Sequence, residues 1–139
     1  MKRAFFMGSL GAIAAAISAA TLLSVSPVEA QGNSLSLLRT LEPGEWELRF
    51  RGSDTPKRLC IRSGEAFIQL RHSGRACRRF VVEEGERDVT VQYTCAKDGY
   101  GRTNVKRESK RLVQLEGQGI VDGAPFQFSA EARRVGSCR

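Results

Sequence analysis

The sequence predicts a mainly β fold: a curled antiparallel sheet or partly closed small barrel of about seven strands, with one short helix. Three observations predict it. Apolar and charged residues alternate without a fault from Glu45 to Arg51. Turn-forming clusters recur roughly every eight to twelve residues through the rest of the chain. The chain has 139 residues, 41% of them hydrophobic, and four cysteines, which fits one small domain whose limited core is supplemented by crosslinks.

Residues 1–30 read as an export signal. Lys2 and Arg3 form a positive start, no charge occurs from Ala4 to Val28, and Val28-Glu29-Ala30 supplies a V-x-A cleavage site. The uncharged run is also long enough for an anchor that is never removed. Its Ala, Ser and Gly content and Pro27 favour cleavage after Ala30. Cleavage removes two cations and one anion, so the net charge of +7 falls to +6. Residues 31–42 are then a lead-in and residues 43–139 a single β domain. No later apolar run approaches spanning length, so no transmembrane segment is expected after cleavage, and the protein is expected in the periplasm or outside the cell.

Pro43-Gly44 opens the domain as a turn. In the strand that follows, Trp46, Leu48 and Phe50 face one way and the charges of Glu45, Glu47, Arg49 and Arg51 the other. Residues 57–62 give a short strand around Leu59 and Ile61. Ser63 is placed to cap a helix with Glu65 in its first turn, Ala66, Phe67 and Leu70 on one face, and Gly74 as its stop. His72 then lies in the last turn, where it suits the helix dipole rather than catalysis. Residues 79–82 and 89–95 make a hairpin around Glu84-Gly85-Glu86. Residues 102–108 and 112–120 follow, with Gly117 and Gly119 marking a bend or bulge. Asp122-Gly123 is a two-residue hairpin turn before a last strand through Phe126, Phe128, Ala130 and Ala132. The leucines of the lead-in, Leu35, Leu37 and Leu38, are expected to dock only loosely.

Cys60, Cys77, Cys95 and Cys138 stand 17, 18 and 43 residues apart. That spacing lacks the close ligand pairs of a zinc site, and His72 is the sole histidine. Two disulfides in an oxidising compartment are the expectation. The preferred pairing is Cys60 with Cys77, across a helical excursion, and Cys95 with Cys138. The rival pairs Cys77 with Cys95, which flank a hairpin, and Cys60 with Cys138.

Several fragments stand in a characteristic order. They are Pro43-Gly44-Glu45-Trp46-Glu47, Cys60-Ile61-Arg62-Ser63-Gly64, Cys77, Tyr93-Thr94-Cys95 and Gly136-Ser137-Cys138. In this the chain resembles a family of small secreted bacterial proteins known as a domain of unknown function, with a P-G-x-W-E opening, four spaced cysteines and a terminal G-x-C. The resemblance spans residues 41–139. It implies export and a β-rich fold, and it implies no reaction.

No nucleophile elbow, zinc-binding helix or phosphate loop is present. A non-catalytic role without cofactor or metal is therefore expected. Basic residues dominate, with dipeptides at Lys57-Arg58, Arg78-Arg79, Lys106-Arg107, Lys110-Arg111 and Arg133-Arg134. Lys106, Arg107, Lys110 and Arg111 would form a positive hairpin tip, the candidate site for an anionic envelope component or envelope protein. Nucleic acid is not expected, given the compartment and the few aromatics. The alternative is an inhibitor of a secreted hydrolase, because Tyr93-Thr94-Cys95 and Asp98-Gly99 resemble a fragment of the small periplasmic barrels that inhibit lysozyme.

Overall fold

A computed structural model describes residues 35–139. Residues 1–34, which include the expected export signal at 1–30, lie outside the described residues. The order of elements is α1 (Ser36–Arg39), β1 (Gly44–Phe50), β2 (Lys57–Ile61), β3 (Arg78–Glu84), β4 (Asp88–Thr94), β5 (Gly99–Ser109), β6 (Leu112–Val121) and β7 (Ala124–Gly136). Short 3-10 turns cover Gly64–Phe67, Leu70–His72 and Ala96–Asp98. The strands form one antiparallel sheet in the order β2-β1-β7-β6-β5-β4-β3. It is mainly β as expected, with seven strands, and it does not close.

Alternation decides which face is buried, because successive strand residues point to opposite sides. Trp46 and Leu48 of β1, Val89, Val91 and Tyr93 of β4, Val105 of β5, Val113 and Leu115 of β6, and Ala130 and Ala132 of β7 all fall on the inner face and are buried. A single sheet cannot bury that face against itself unless it closes. Two non-strand segments cover it instead.

The first is the lead-in, and here the structure corrects the sequence expectation. Leu35, Leu37, Leu38 and Leu41 are core residues, all at most 4% exposed. The lead-in is therefore packed into the core and not loosely docked on it. The segment is pinned at its end, where the Trp46 indole N–H donates to the Glu42 carbonyl at 3.0 Å. The second is residues 61–77, which carry Ile61, Phe67 and Ile68 into the core. The helix expected here forms only as two 3-10 turns broken at Ile68 and Gln69, and the one α-helical turn among the described residues lies in the lead-in. Ser63 does cap the first turn, accepting from the Glu65 amide at 3.3 Å. Gly64 sets the first turn against the lead-in: a Cβ there would sit 2.6 Å from the Leu38 carbonyl oxygen and 2.6 Å from Leu41, so the two covering segments touch through a glycine backbone.

The bridges are Cys60–Cys138 and Cys77–Cys95, which corrects the preferred pairing of Cys60 with Cys77 and Cys95 with Cys138. Residues 61–77 are not a local excursion. They run from β2 at one edge of the sheet to β3 at the other, so Cys60 and Cys77 are carried apart. Glu45 of β1 pairs with Cys60 on one side and with Gly136 on the other, so the terminal bridge stitches β2 to the end of β7 across β1. Arg78 pairs with Thr94, which sets Cys77 opposite Cys95. Closing loops with separations of 78 and 18 stabilises by about 4.5 and about 3 kcal/mol in the chain-entropy account. The two bridges suggest an oxidising, exported location.

The Asp122-Gly123 turn forms as read from the sequence. Both residues have positive φ, 50° and 81°, as a type I′ hairpin requires. Gly117 has a different reason: a Cβ there would strike the Phe128 ring, so the ring packs flat against bare backbone. Peptide mapping without reduction is expected to recover Cys60 linked to Cys138 and Cys77 linked to Cys95. A Cys60–Cys77 peptide would contradict this topology.

Candidate functional site

Because the sheet curls without closing, side chains from both edge strands meet at its seam. They line a cleft of about 530 Å³ between β1, β2, the 3-10 turns and β3. That volume lies in the range typical of small-molecule sites, about 300–1,000 Å³. Leu48, Phe50, Leu59 and Leu70 supply apolar surface, and Lys57, Arg58, Arg71 and Arg79 supply four cations. Among the described residues no Asp or Glu lines it.

Each cation is placed by a different contact. Arg79 is inward-facing on β3, and its guanidinium donates to the Gln69 side-chain oxygen at 2.9 and 3.2 Å and to Glu65 at 3.2 Å. Gln69 is itself buried, and its amide donates to the carbonyls of His72 and Arg75. Arg58 pairs with Glu45 and Glu47 at 3.4 and 3.5 Å. Lys57 and Arg71 rest on aromatic rings instead, each 5.7 Å from a ring centre, over Phe50 and Phe126 respectively. Neither has a carboxylate at ion-pair distance among the described residues.

The wall that carries Gln69, Leu70 and Arg71 is held by buried polar links. His72 is fully buried, not an exposed partner of a helix dipole. Its Nε2 lies 3.1 Å from the Asp98 carbonyl oxygen and its Nδ1 lies 3.2 Å from the Tyr93 hydroxyl. A carbonyl only accepts, so Nε2 carries the proton and Nδ1 accepts from the Tyr93 O–H. The Thr103 hydroxyl donates to the Ile68 carbonyl at 2.6 Å. Arg75 donates to both carboxylate oxygens of Asp122, at 2.7 and 3.0 Å. That bond lowers the Asp122 pKa, and the pair lies at the surface, with the Arg75 side chain 31% and the Asp122 side chain 62% exposed. Burial pushes the Tyr93 phenol up to about 12, with Arg71 opposing.

The sequence-predicted hairpin tip has a different arrangement. Arg107 donates to the Thr40 hydroxyl at 2.7 Å and to the Glu86 carbonyl at 3.1 Å. Arg111 lies 3.5 Å from Glu42, and the Glu42 amide donates to the Lys110 carbonyl at 2.9 Å. Two of the four tip cations therefore fasten the lead-in to the β5–β6 hairpin. Lys106 and Lys110 are exposed. The Tyr93-Thr94-Cys95 fragment is likewise occupied in the core: Tyr93 and Cys95 are each 1% exposed, one bonded to His72 and the other in a disulfide.

The seam cleft was not foreseen as a site. Lys57-Arg58 and Arg78-Arg79 stood out as basic dipeptides, but only the crossing of residues 61–77 from edge to edge brings positions 57, 71 and 79 together. On the outer face, a shallower depression of about 420 Å³ is lined by Thr90, Asn104, Glu116, Gln118, Gln127 and Arg102 among others. These are cross-strand neighbours in two rows on β4 to β7, and the mixed polar surface has no directed charge. Among the described residues no three His, Cys, Asp or Glu side chains are grouped to hold a metal ion, and no helix is long and apolar enough to cross a membrane. No protein-family model matches the chain, and no curated protein matches it.

Two measurements test the buried links. Tyr93→Phe leaves the buried His72 Nδ1 without its donor, and should lower unfolding stability in urea by about 1–3 kcal/mol; an unchanged midpoint would contradict the hydrogen bond. Tyr93 has a folded-state pKa raised from an unfolded value of about 10 to about 12. The neutral phenol is thus favoured by folding, and its contribution is complete below pH 10 and lost as pH rises through 12. An ultraviolet titration should show one tyrosine ionising only near the upper end of that window. Both tyrosines ionising together near pH 10 in the folded protein would contradict this.

Proposed function

We propose that the protein is an exported, non-catalytic binding protein of the bacterial cell envelope that engages an anionic partner. The proposal includes removal of residues 1–30 on export, as the signal-like start of the sequence suggests. The observation that carries it is the seam cleft, where four cations converge and no carboxylate lines the surface. A chain whose net charge is +7, or +6 once residues 1–30 are removed, gains encounter rate with any anion, but general charge gives no address. Lys57 and Arg71 supply one, since they are cations whose charge no carboxylate neutralises. The exposed tip lysines, Lys106 and Lys110, offer a second basic surface with no enclosing walls.

Co-sedimentation with phosphatidylglycerol vesicles over a salt series tests this reading. Binding should be strong at low salt, fall steeply as the screening length shrinks to about 8 Å at physiological ionic strength, and be absent on phosphatidylcholine. Lys57→Ala/Arg71→Ala should weaken it several-fold, and Lys106→Ala/Lys110→Ala much less. Absent or salt-insensitive binding would end the reading.

A further inference from the structure

We infer that the seam cleft takes a single-chain amphipathic anion, with its apolar chain among Leu48, Leu59 and Leu70 and its acidic head on Lys57 and Arg71. This deepens the proposed function and rests on it, since it names the class of anion the same cations would hold.

Three observations lead there. First, the cleft is two-natured. Leu59 and Leu70 are only half buried, on opposite walls supplied by β2 and the second 3-10 turn. A small inorganic anion would use the cations and leave this apolar surface wet. An uncharged hydrophobe would use the surface and leave the cations unanswered. An amphiphile satisfies both, since apolar burial drives binding and the few polar groups orient the ligand.

Second, the two cations that face no carboxylate stand over aromatic rings, at 5.7 Å each. The rings position them without neutralising them. Arg79 complements them from the far wall. It keeps 27% of its side chain exposed while Gln69 and Glu65 fix its guanidinium, so it offers a directed donor and not a swinging one.

Third, the walls are rigid. The disulfide Cys77–Cys95, the His72–Tyr93 hydrogen bond and the Arg75–Asp122 pair fasten the 61–77 segment to the end of β4 and to the β6–β7 turn. A preformed cleft loses little conformational freedom on binding.

The test uses the exported, disulfide-bonded protein and three probes: laurate below its micellar concentration, butyrate with the same head and a short chain, and dodecyl maltoside with the same chain and no charge. Methyl NMR titration should give saturable one-to-one binding of laurate, with the largest shifts at Leu48, Leu59 and Leu70. Butyrate should bind at least about tenfold more weakly, given what eight methylenes contribute when buried, and dodecyl maltoside at least about tenfold more weakly, because its uncharged head leaves the cations unanswered. Lys57→Gln/Arg71→Gln should weaken laurate about tenfold, and these exposed positions leave the fold intact. Equal binding of laurate and butyrate, equal binding of laurate and the maltoside, or shifts confined to the outer face would overturn the inference. Loss of laurate binding with salt-dependent vesicle binding preserved would reject the amphiphile and keep the anionic partner. Loss of both would reject the two together.

Discussion

An open sheet has one face to bury and no second sheet to bury it against, and this constraint organises the molecule. Trp46, Val91, Val105 and Leu115 need an apolar partner layer. Two stretches without strand structure provide it, the lead-in with its four leucines and the edge-to-edge crossing of residues 61–77. Neither has a helix or strand long enough to be stable alone. Each is therefore fastened by specific links. The lead-in is held through Trp46, Arg107 and Arg111. The crossing is held through Thr103, Tyr93 and the Cys77–Cys95 bridge.

The same constraint produces the cleft. A closed barrel would have paired β2 with β3 and left no seam. Here the crossing segment fills only part of the gap between them, and what remains is walled by Leu59 on one edge and Arg79 on the other. Both edges also present unpaired backbone to which another chain can add a strand, and exposed charge is a usual protection. β2 carries Lys57 and Arg58, and β3 carries Arg78 and Arg79. Three of these four, Lys57, Arg58 and Arg79, also line the cleft.

Local pattern made most of this legible. Alternation identified β1, and the type I′ signal at Asp122-Gly123 identified the last hairpin, because both depend on residues adjacent in the chain. What was missed depends on residues far apart. Leu35, Leu37 and Leu38 carry no strand period, so their place in the core was invisible until the uncovered sheet face was known. The helix around Ala66 and Phe67 has the right spacing but meets Leu38 and Leu41 across Gly64, and tertiary contact overrides propensity there. The disulfides turned on topology: the hairpin geometry favouring Cys77–Cys95 was visible, whereas the route of residues 61–77 to the opposite edge was not. His72 shows the same limit, since its partners Tyr93 and Asp98 lie 21 and 26 residues away.

The central claim is that the crossing segment belongs to the cooperative core and is not a loop laid over it. Native-state hydrogen exchange measures this directly, through the amides of Ile68 and His72, which donate to Glu65 and Gln69 at 3.1 and 2.9 Å. They should exchange only on global unfolding, with the same opening free energy as the Val91 amide in β4. Exchange of these amides at loop rates while Val91 stays protected would contradict the account.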